Sequence, residues 1–571
     1  MIVVVAPPAR NGRTGGARQA LVAVAQLRLM VLSILFGFGM LVVVGKLALL
    51  AISAGPATAR DMSMTLLPPR GDIVDRNGAT LARSIDSWSI AIHPNRVIGD
   101  KADLARKLAA LIPEQDAARY YALLKSNASF AFLKRRALPE LVNAVNALGE
   151  PAIEFQREPD RLYPQSSLAA HVLGYLDRDH HGVSGMEKVL EQRLTDPAQR
   201  GAPVALSIDA RVQAALESEL GSAMTSLQAR GAAGVVLDVQ TGEVMAMVSL
   251  PSFNPNAIDG VVPRNNVTQS VYELGSTFKP IAVAAAIDSG TITSMSRRFD
   301  ATKPLEIGRF KIHDDPGDEQ FRWLNIPETL VYSSNIATAR IADEVGAERL
   351  QAMFRRMGFD QRPAIELENA SRTLWPSSWG RITVMTTAYG HGIAVTPLHL
   401  ASAYSALVNG GIWRPATLLK ADPARPVAGR RVISDATSAR MRQLLRLIVL
   451  KGTGRNGEAA GYRIAGKTGT AEAASEGGYD KHRNVSTFAA AFPIDAPRYV
   501  VVAMLDSPKA NPAIGVYRTT AAWTAAPVVK RLVSRTGTIL GVAPDTGRDI
   551  DEHDLLPLIW SGPDSDKKDP E

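Results

Sequence analysis

The feature that most constrains this chain is an uncharged apolar run near its N-terminus, from Leu29 to Gly45. If Lys46 extends its long side chain to the far interface, the apolar stretch continues to about Ala51. A stretch of this length can cross a hydrocarbon layer of roughly 30 Å as a helix. The sequence therefore predicts a transmembrane anchor over residues 29–51 and a chain that is divided between the two sides of a membrane.

The orientation of this anchor follows from the charges beside it. Arginines precede the span at positions 10, 13, 18 and 28, and positively charged flanks remain on the cytoplasmic side. We therefore expect residues 1–28 to be cytoplasmic and the chain beyond about residue 55 to be outside, in the periplasm if the cell has two membranes. A cleaved signal peptide is the alternative. Its apolar region is usually only roughly 7–15 residues long, but the small residues at 54–59 would suit a peptidase.

Charge and cysteine content exclude several classes of protein. Six basic and no acidic residues lie within 1–60, so the rest of the chain carries only +2 of the total net charge of +8. A nucleic-acid-binding protein needs a basic patch on a folded domain, and none is expected here. The absence of cysteine excludes disulfides, thiolate catalysis and cysteine-ligated zinc. A length of 571 residues predicts two to four domains.

A new folding unit is expected to begin near Val204. Two apolar runs between residues 231 and 250 flank a glycine-bearing turn and predict an antiparallel hairpin. Helical patterns fill the middle of the unit, and strand patterns return between residues 461 and 507. We therefore expect an α/β (α+β) domain in which one antiparallel sheet carries an inserted helical lobe. From about Val542 the chain is rich in Asp, Pro and Gly, which predicts a flexible tail.

The stretch YELGSTFKP places Ser276 and Lys279 three positions apart, on one face of a helix. Gly275 permits a sharp turn into that helix, and Pro280 suits its first turn. A serine at this position becomes a nucleophile if a neutral lysine removes its proton. Taken alone, a pair with this spacing is far more often a capping serine and a surface lysine.

Two further motifs change the interpretation. Ser333-Ser334-Asn335 lies in a helix-rich region, and Lys467-Thr468-Gly469-Thr470 lies in a predicted strand. A serine and lysine in S-x-x-K spacing, followed by a polar triplet and then K-T-G, is typical of penicillin-binding proteins and serine β-lactamases. The order of the three motifs along the chain favours Ser276 as an active serine.

With these motifs the chain resembles a class B penicillin-binding protein of the division-specific, FtsI type, a peptidoglycan D,D-transpeptidase. RGDIVDRNG and the pattern RLYP…H…GMEK, with Arg161, Tyr163, His171 and Glu187, are similar to the family's non-catalytic pedestal domain. ELGSTFKP, SSN, YGHGIAVTP and AGKTGTAE are similar to its transpeptidase domain. The resemblance implies a serine transpeptidase/β-lactamase-like fold behind a mixed α+β pedestal. The expected domains are a cytoplasmic N-terminus (1–28), an anchor (29–51), a pedestal (56–203), a transpeptidase domain (204–541) and a flexible tail (542–571).

The resemblance also implies a role for each motif residue. Ser276 would be acylated, and Lys279 would take the proton of its hydroxyl. Burial and the nearby Lys467 would both lower the pKa of Lys279. Ser333 would pass a proton to the departing amine, and Asn335 would hold Lys279 and the substrate peptide. The backbone N–H groups of Ser276 and Thr470 would form the oxyanion hole. Gly469 would leave room for a substrate strand, and the hydroxyls of Thr468 and Thr470 would hold the substrate's terminal carboxylate.

The implied reaction cross-links D-Ala-D-Ala stem peptides of peptidoglycan with release of D-Ala, and β-lactams would acylate the same serine. The resemblance implies no cofactor, no metal and no glycosyltransferase activity. It implies a septal location in the inner membrane and partners that include an FtsW-type glycosyltransferase and other divisome proteins. The open alternatives are an elongation-type homologue, a D,D-carboxypeptidase, a class D-like β-lactamase, and a catalytically silent β-lactam sensor or scaffold. SSN, where elongation-type relatives have S-x-D, favours division.

Some residues depart from the family pattern or invite other interpretations. Leu274, Ser167, His391 and the segment 519–522 replace residues that are more usual in the family, which affects the expected loop shapes and leaves the expected reaction unchanged. Glu273 is expected to point away from Ser276 and Lys279. The glycines beside His391 would allow it to line the site, but a packed or exposed loop histidine is the favoured interpretation. The pair His180-His181 lacks further ligands at suitable spacing, and we expect it in a solvated loop.

Overall fold

A computed structural model describes residues 16–53 and 70–560, except for 259, 423, 425–426 and 476–477. The chain divides into two compact units, Met1–Leu67 and Pro68–Glu571. The expected linker at 54–68 and the last residues of the expected tail lie largely outside the described part of the chain.

The described part of the first unit is one long helix, Gly16–Ser53. Within it lies the 27-residue segment Ala23–Leu49, which contains an 18-residue window with a mean hydropathy of 2.4. At 1.5 Å per residue this segment is about 40 Å long, enough to cross a bilayer with some tilt. Its apolar side chains are exposed, as for Phe36 at 76%. The helix therefore fits a single-pass membrane anchor.

The pedestal combines two small sheets with short helices. One sheet pairs Ile73–Val74 in parallel with Val204–Ala205, the first strand of the next domain. The other sheet packs against helices around Leu108 and Tyr120. The strands are Ile73–Val74, Thr80–Ile85, Trp88–Ile92, Ala131–Ala137, Ile153–Arg157 and Asp160–Leu162, and the helices are Lys101–Leu111, Ala117–Lys125, Pro139–Asn146, Ala170–Leu173, Gly185–Val189 and Glu191–Thr195.

A buried carboxylate organises the pedestal motifs. Glu187 is fully buried, and its two oxygens accept from Nε of Arg70 and from Nε of Arg161, each at 2.7 Å. Tyr163 Oη lies 3.4 Å from the same carboxylate. Because a buried charge is tolerated only when it is paired and hydrogen-bonded, RGD, RLYP and GMEK depend on one another although they are far apart in sequence.

The core of the transpeptidase domain is a five-stranded antiparallel sheet. Its spatial order is Ala465–Ser475, Gly478–Phe492, Tyr499–Asp506, Gly231–Asp238 and Val244–Leu250. Gly231 pairs with Asp506, so the two ends of the domain meet in one sheet, as predicted. Strand Ala465–Ser475, which carries KTGT, lies at one edge.

Both faces of this sheet are covered by helices. Along Tyr499–Asp506, Val501 and Leu505 belong to one cluster of buried residues, while Val500 and Met504 belong to the other. This alternation is the period of two expected of a strand. Helices Ala210–Ser226 and Ala525–Thr536 cover the first face, and the helical lobe covers the second.

The helical lobe lies between the two groups of strands along the chain. Its helices are Lys279–Asp288, Ile326–Val331, Asn335–Val345, Ala347–Arg356, Arg381–Thr387, Pro397–Val408 and Asp435–Lys451, and its short strands are Phe299–Asp300, Leu305–Ile307, Phe310–Ile312, Trp323–Leu324, Ile412–Trp413 and Arg430–Arg431.

The structure differs from the prediction of a flexible tail beginning at Val542. Residues 542–560, here called the C-terminal strap, lie along helix Asp435–Lys451 and reach the lobe. Asp549 pairs with Arg446 at 2.5 Å, and the carbonyl of Leu558 accepts from Asn325 Nδ2 at 2.6 Å. Leu555 is fully buried. The low apolar content of this segment is the reason why the sequence predicted a flexible tail. The segment docks nevertheless, because a few apolar and charged residues are enough to hold it against a folded domain.

Candidate active site

Ser276 lies in a tight turn that leads into a buried helix. A short 3-10 turn, Gly275–Phe278, precedes helix Lys279–Asp288, with Pro280 in its first turn. Gly275 has a φ of +55°, and a Cβ at this position would lie 2.9 Å from the carbonyl oxygen of Thr470. Glycine is therefore required both for the conformation and for the close approach to the KTGT strand.

The hydroxyl of Ser276 is hydrogen-bonded to the amine of Lys279. Lys279 Nζ lies 2.8 Å from Ser276 Oγ and 3.1 Å from Ser333 Oγ, and it also contacts the carbonyl oxygen of Ser333. Lys279 is fully buried, and Ser276 is 7% exposed. The i, i+3 spacing noted in the sequence therefore produces a direct contact in a dry environment.

Ser333 links the two lysines. Its Oγ accepts from Lys279 and also from Lys467 Nζ, at 2.9 Å. Ser333 lies between helices Ile326–Val331 and Asn335–Val345 with a φ of +59°, a left-handed conformation that is uncommon for serine. Such strain persists only where the surrounding structure enforces it, and it is typical of functional sites.

Caps on the flanking helices hold this strained turn. Asn325 and Glu328 form a capping box on the preceding helix. Ser334 caps the following helix at Ala337, and its hydroxyl lies 3.0 Å from both carboxylate oxygens of Asp314. Sequence analysis overlooked Asp314, although the acidic run at 314–319 was a signal that could have drawn attention to this loop.

Burial controls the protonation of both lysines. Burial lowers the pKa of Lys279 to about 8, against the opposing influence of Asp315, Asp314 and Asp318. Burial also lowers the pKa of Lys467 well below its ordinary value, and the nearby Lys279 lowers it further. The expected shift of Lys279 is present, but its main cause is burial, and the repulsion between the two cations acts chiefly on Lys467.

Asn335 occupies a different place from the one expected. Its Nδ2 donates to the carbonyl oxygen of His313 at 3.0 Å and lies 3.3 Å from Asp315 Oδ1. The contacts of Lys279 in the described part of the chain are with Ser276 and Ser333, so the expected hold of Asn335 on Lys279 is absent. Asn335 begins its helix at the rim of the groove, because the left-handed turn at Ser333 directs it there.

The KTGT strand lies against the Ser276 turn. A Cβ on Gly469 would lie 2.4 Å from the carbonyl oxygen of Leu274 and 2.8 Å from a methyl group of Thr277. Glycine is therefore needed here for packing against the turn, a reason that differs from the predicted one of leaving room for substrate.

The two threonines of KTGT have different partners. Thr468 Oγ1 lies 2.6 Å from Thr453 Oγ1, and Thr470 Oγ1 accepts from the backbone N–H of Ala521 at 3.1 Å. Ala521 belongs to the 519–522 segment that departs from the family pattern. A segment that departs from the family pattern therefore contacts Thr470, a predicted substrate-binding residue. The sequence did not predict this contact.

A groove of about 220 Å³ opens in front of Ser276. Cavities of about 250 and 290 Å³ lie elsewhere, and none of the predicted site residues lines either one. The side chains along the groove in front of Ser276 belong to three parts of the chain: the Asp315–Asn335 region, the Tyr389–His391 turn, and Thr470 to Glu472. Among these, Asp315, Tyr389 and Glu472 were not identified from sequence.

Glu273 and His391 lie beside each other. Glu273 Oε1 accepts from the backbone N–H of Gly392 at 3.0 Å, and its Oε2 lies 3.3 Å from His391 Nδ1. Glu273 is directed toward this turn, while Ser276 bonds to Lys279. His391 is an exposed loop residue, as expected, but it also lines the groove.

The histidine pair in the pedestal shows no sign of a metal site. His181 Nδ1 lies 3.4 Å from Glu191, and His180 has a left-handed backbone conformation. Within the described residues, no group of three or more histidine and carboxylate side chains is placed to hold a metal ion.

Two protein-family models match the chain. The family model "Penicillin binding protein transpeptidase domain" matches residues 232–533, and "Penicillin-binding Protein dimerisation domain" matches residues 65–201. The second match covers the domain described above as the pedestal.

Full-length relatives extend the similarity over most of the chain. The chain is 38% identical over 490 residues to the probable peptidoglycan D,D-transpeptidase FtsI of Caulobacter vibrioides, which covers 84% of this chain and 82% of the relative. It is 29% identical over 522 residues to the peptidoglycan D,D-transpeptidase FtsI of Escherichia coli. The matched region covers 85% of this chain and 86% of the relative.

A solved structure is also similar. Penicillin binding protein 3 from Mycobacterium tuberculosis, complexed with aztreonam, matches with a TM-score of 0.66 and 26% sequence identity, covering 85% of this chain and 98% of that chain. The likeness in fold, the two matched domains and the full-length relatives lead to one assignment. The chain belongs to the class B penicillin-binding proteins, the family of the FtsI-type peptidoglycan D,D-transpeptidases.

Proposed function

We propose that this chain cross-links the stem peptides of septal peptidoglycan through an acyl-Ser276 intermediate, with release of D-Ala, and that β-lactams acylate the same serine. One observation carries the proposal. The buried amine of Lys279 donates to the Ser276 hydroxyl oxygen at 2.8 Å, in a groove beside an edge strand. A nucleophile needs a base at this distance, and a structural serine does not.

Acylation begins with the transfer of a proton. Neutral Lys279 takes the Ser276 proton while Oγ attacks the carbonyl carbon between the two D-Ala residues. Backbone N–H groups of Ser276 and Thr470 hold the developing negative charge. The carbon–nitrogen bond then breaks, and the proton passes from Lys279 through Ser333 to the departing amine. The contacts of Ser333 with both lysines support this route.

Lys467 keeps this relay oriented. Its Nζ donates to Ser333 Oγ at 2.9 Å and to its neighbour's carbonyl oxygen, Thr468 O, at 2.9 Å. In this position it holds the Ser333 hydroxyl toward Lys279. The carboxylate of the terminal D-Ala needs hydrogen-bond donors nearby. We assign the carboxylate contact chiefly to Thr470, since its side chain lines the groove, and a secondary contact to Thr468.

The donor peptide binds as an added strand. Strand Ala465–Ser475 is the edge of the sheet, and an edge presents unpaired N–H and C=O groups to an extended peptide. Asn335, at the opposite rim, is placed to hold the amide groups of that peptide. The amine of a second stem peptide then attacks the ester and forms the cross-link.

The remaining expectations concern the cell. We propose that the transpeptidase domain acts outside the cytoplasmic membrane at the division septum, supported by the apolar helix and by the FtsI names of the relatives. We also propose that an FtsW-type glycosyltransferase and other divisome proteins are partners, on the strength of family membership alone. A carboxypeptidase or β-lactamase would pass the acyl group to water, and a silent sensor would keep it.

One labelling experiment tests these statements together. A fluorescent penicillin that does not cross the cytoplasmic membrane is added to intact spheroplasts and to dividing cells that express the full chain. We expect labelling of the wild type, loss of labelling in Ser276→Ala, and fluorescence concentrated at the division site. Ser289→Ala, at the other end of the same helix, is the matched control and should label normally.

Each result bears on a separate part of the proposal. Persistent labelling of Ser276→Ala would assign the nucleophile to another residue. Labelling only after lysis would reverse the orientation of the anchor, and label spread evenly over the cell surface would contradict a septal role.

A further inference from the structure

A cavity of about 210 Å³, here called the lobe cavity, opens on the helical lobe outside the groove that contains Ser276. Its apolar lining is buried and consists of Phe299, Leu305 and Met385. Trp323 also lines the lobe cavity, and 53% of this residue is exposed. Apolar walls with an accessible aromatic ring are typical of sites that bind small organic groups.

Polar groups on the wall of the lobe cavity are held in fixed orientations. Arg381 donates through Nε and Nη2 to the two carboxylate oxygens of Asp343, at 2.8 and 2.6 Å. Arg340 Nε donates to the backbone carbonyl oxygen of Asp300 at 2.7 Å. A guanidinium has five N–H donors, so both arginines keep donors for a ligand. Oriented hydrogen-bonding groups therefore lie beside an aromatic ring.

The charges that line the lobe cavity balance. Its three arginines and three carboxylates are Arg298, Arg340, Arg381, Asp300, Asp343 and Glu344. A site for a phosphate or another strong anion carries an excess of positive charge, and a site for a cation carries an excess of negative charge. A balanced lining favours an uncharged ligand that carries both hydrogen-bond donors and acceptors.

An N-acetylated sugar has the properties that this lining requires. Its hydroxyl and amide groups donate and accept hydrogen bonds around the edge of the ring, and the C–H groups of the pyranose form an apolar face. Such a face can lie on the exposed ring of Trp323 while the edge meets the arginines and carboxylates. The sugar is uncharged, which agrees with the balanced charges of the lobe cavity.

Two helices connect the lobe cavity to the groove that contains Ser276. Asn335, the first residue of helix Asn335–Val345, lines the groove, and Asp343 on the same helix lines the lobe cavity. The helix rises about 12 Å between these two residues. Helix Arg381–Thr387 begins at the lobe cavity and leads toward the Tyr389 turn on the groove wall. A ligand in the groove therefore has the lobe cavity within reach.

We propose that the lobe cavity binds an N-acetylated sugar of the glycan strand that carries a stem peptide held in the groove. The inference rests on the proposed function, because it extends the substrate of that site. A stem peptide of about five residues spans at most ~17 Å when extended. This length lets the sugar at its far end reach a cavity about 12 Å from Asn335. Since peptide and sugar are covalently linked, each contact raises the effective concentration of the other.

The test measures the binding of an uncharged sugar that carries no peptide. The full-length chain in detergent is acylated with penicillin, which occupies the groove, and is then titrated with the β-1,4-linked tetramer of N-acetylglucosamine. Saturation-transfer NMR detects the contact, and the titration gives Kd. We expect the wild type to bind the tetramer and Trp323→Ala to bind it roughly tenfold more weakly, as for loss of an aromatic stacking contact.

Two further variants separate a sugar-stacking ring from a structural residue. Trp323→Tyr keeps an aromatic face and should retain the wild-type affinity within about threefold. Phe310→Ala removes an aromatic residue of similar exposure, 47%, from the same lobe but outside the lobe cavity. This matched control should bind the tetramer as the wild type does.

The outcomes are distinct. No binding by the wild type, or equal affinities of the wild type and Trp323→Ala, would overturn the sugar site. An equal loss of binding in Phe310→Ala would also overturn it, because the contact would then lie elsewhere on the lobe. Penicillin labelling of the wild type that depends on Ser276 leaves the proposed function intact in all these cases. Labelling that does not depend on Ser276 would instead overturn the proposed function itself.

Discussion

Lys279 is useful to the reaction only as a neutral amine. An exposed lysine with a pKa near 10.4 is almost fully charged at pH 7, and a charged lysine cannot take a proton from Ser276. Complete burial lowers the pKa of Lys279 to about 8 despite three carboxylates that favour its charged form. At the scale of one residue, the fold therefore supplies the base by removing water from an ordinary side chain.

This protonation equilibrium predicts the pH dependence of acylation. The acylation rate of the wild type should rise with pH below about 8, the pKa of Lys279, and level off above it, because the reactive fraction is the neutral amine. Lys279→Met should lower the acylation rate roughly 10²–10⁴-fold, as for loss of a general base, and abolish the pH-dependent rise. Stopped-flow measurement of penicillin acylation checks both, and a near-normal rate in the variant would exclude Lys279 as the base.

The C-terminal strap shows how an element remote in sequence reaches the site. Its Trp560 N–H donates to Glu328 at 3.0 Å, and the Trp560 ring lies 4.9 Å from the guanidinium of Arg322. Arg322 also lies over Tyr332, the residue before Ser333, at 5.3 Å. The strap therefore packs on the helix that delivers Ser333.

A matched pair of leucines tests the contribution of this strap. Leu555 is fully buried and its neighbour Leu556 is 41% exposed. Leu555→Ala should lower the free energy of unfolding by about 2–5 kcal/mol, because it leaves a cavity in a packed core. Leu556→Ala should change it by less than about 1 kcal/mol. Urea titration of both variants measures the difference, and equal effects would show that the strap is not docked.

At the scale of the whole molecule, Asp75 joins the pedestal to the transpeptidase domain. Its Oδ1 accepts from the N–H groups of Asn77 and Ala79, each at 2.8 Å, and closes the turn of RGDIVDRNG. Its Oδ2 accepts from the N–H of Ala210 at 3.1 Å. Ala210 begins helix Ala210–Ser226, whose first N–H groups need partners outside the helix.

Removal of this carboxylate should loosen the joint. Asp75→Ala leaves the buried N–H of Ala210 without this partner and should cost about 1–3 kcal/mol. In scanning calorimetry we expect the single transition of residues 68–571 to broaden or divide into two, one for each domain. Asp72→Ala is the control, since Asp72 is partly exposed and pairs with Arg83. A variant Asp75→Ala that unfolds like Asp72→Ala would contradict the joint.

The sequence by itself determined the reaction chemistry and the order of elements. Ser276 and Lys279 are neighbours on one helical turn, so their spacing predicted that the two side chains can reach each other, and the SSN and KTGT motifs indicated the chemistry. Much of the sheet was predictable as well, because strands Gly231–Asp238, Val244–Leu250 and Tyr499–Asp506 carry apolar residues on both faces.

The tertiary structure decided what depends on residues far apart in the chain. The turn at Ser333 directs Asn335 to the groove rim and away from Lys279. The close approach of Leu274 requires glycine at position 469. His391 lies beside Glu273 although the two are 118 positions apart in the sequence. The sequence did not predict that the C-terminal strap docks, because its partners Arg446 and Asn325 lie far from it along the chain. Each of these arrangements is stabilised by contacts between segments that no local pattern connects, and only the folded chain brings those segments together.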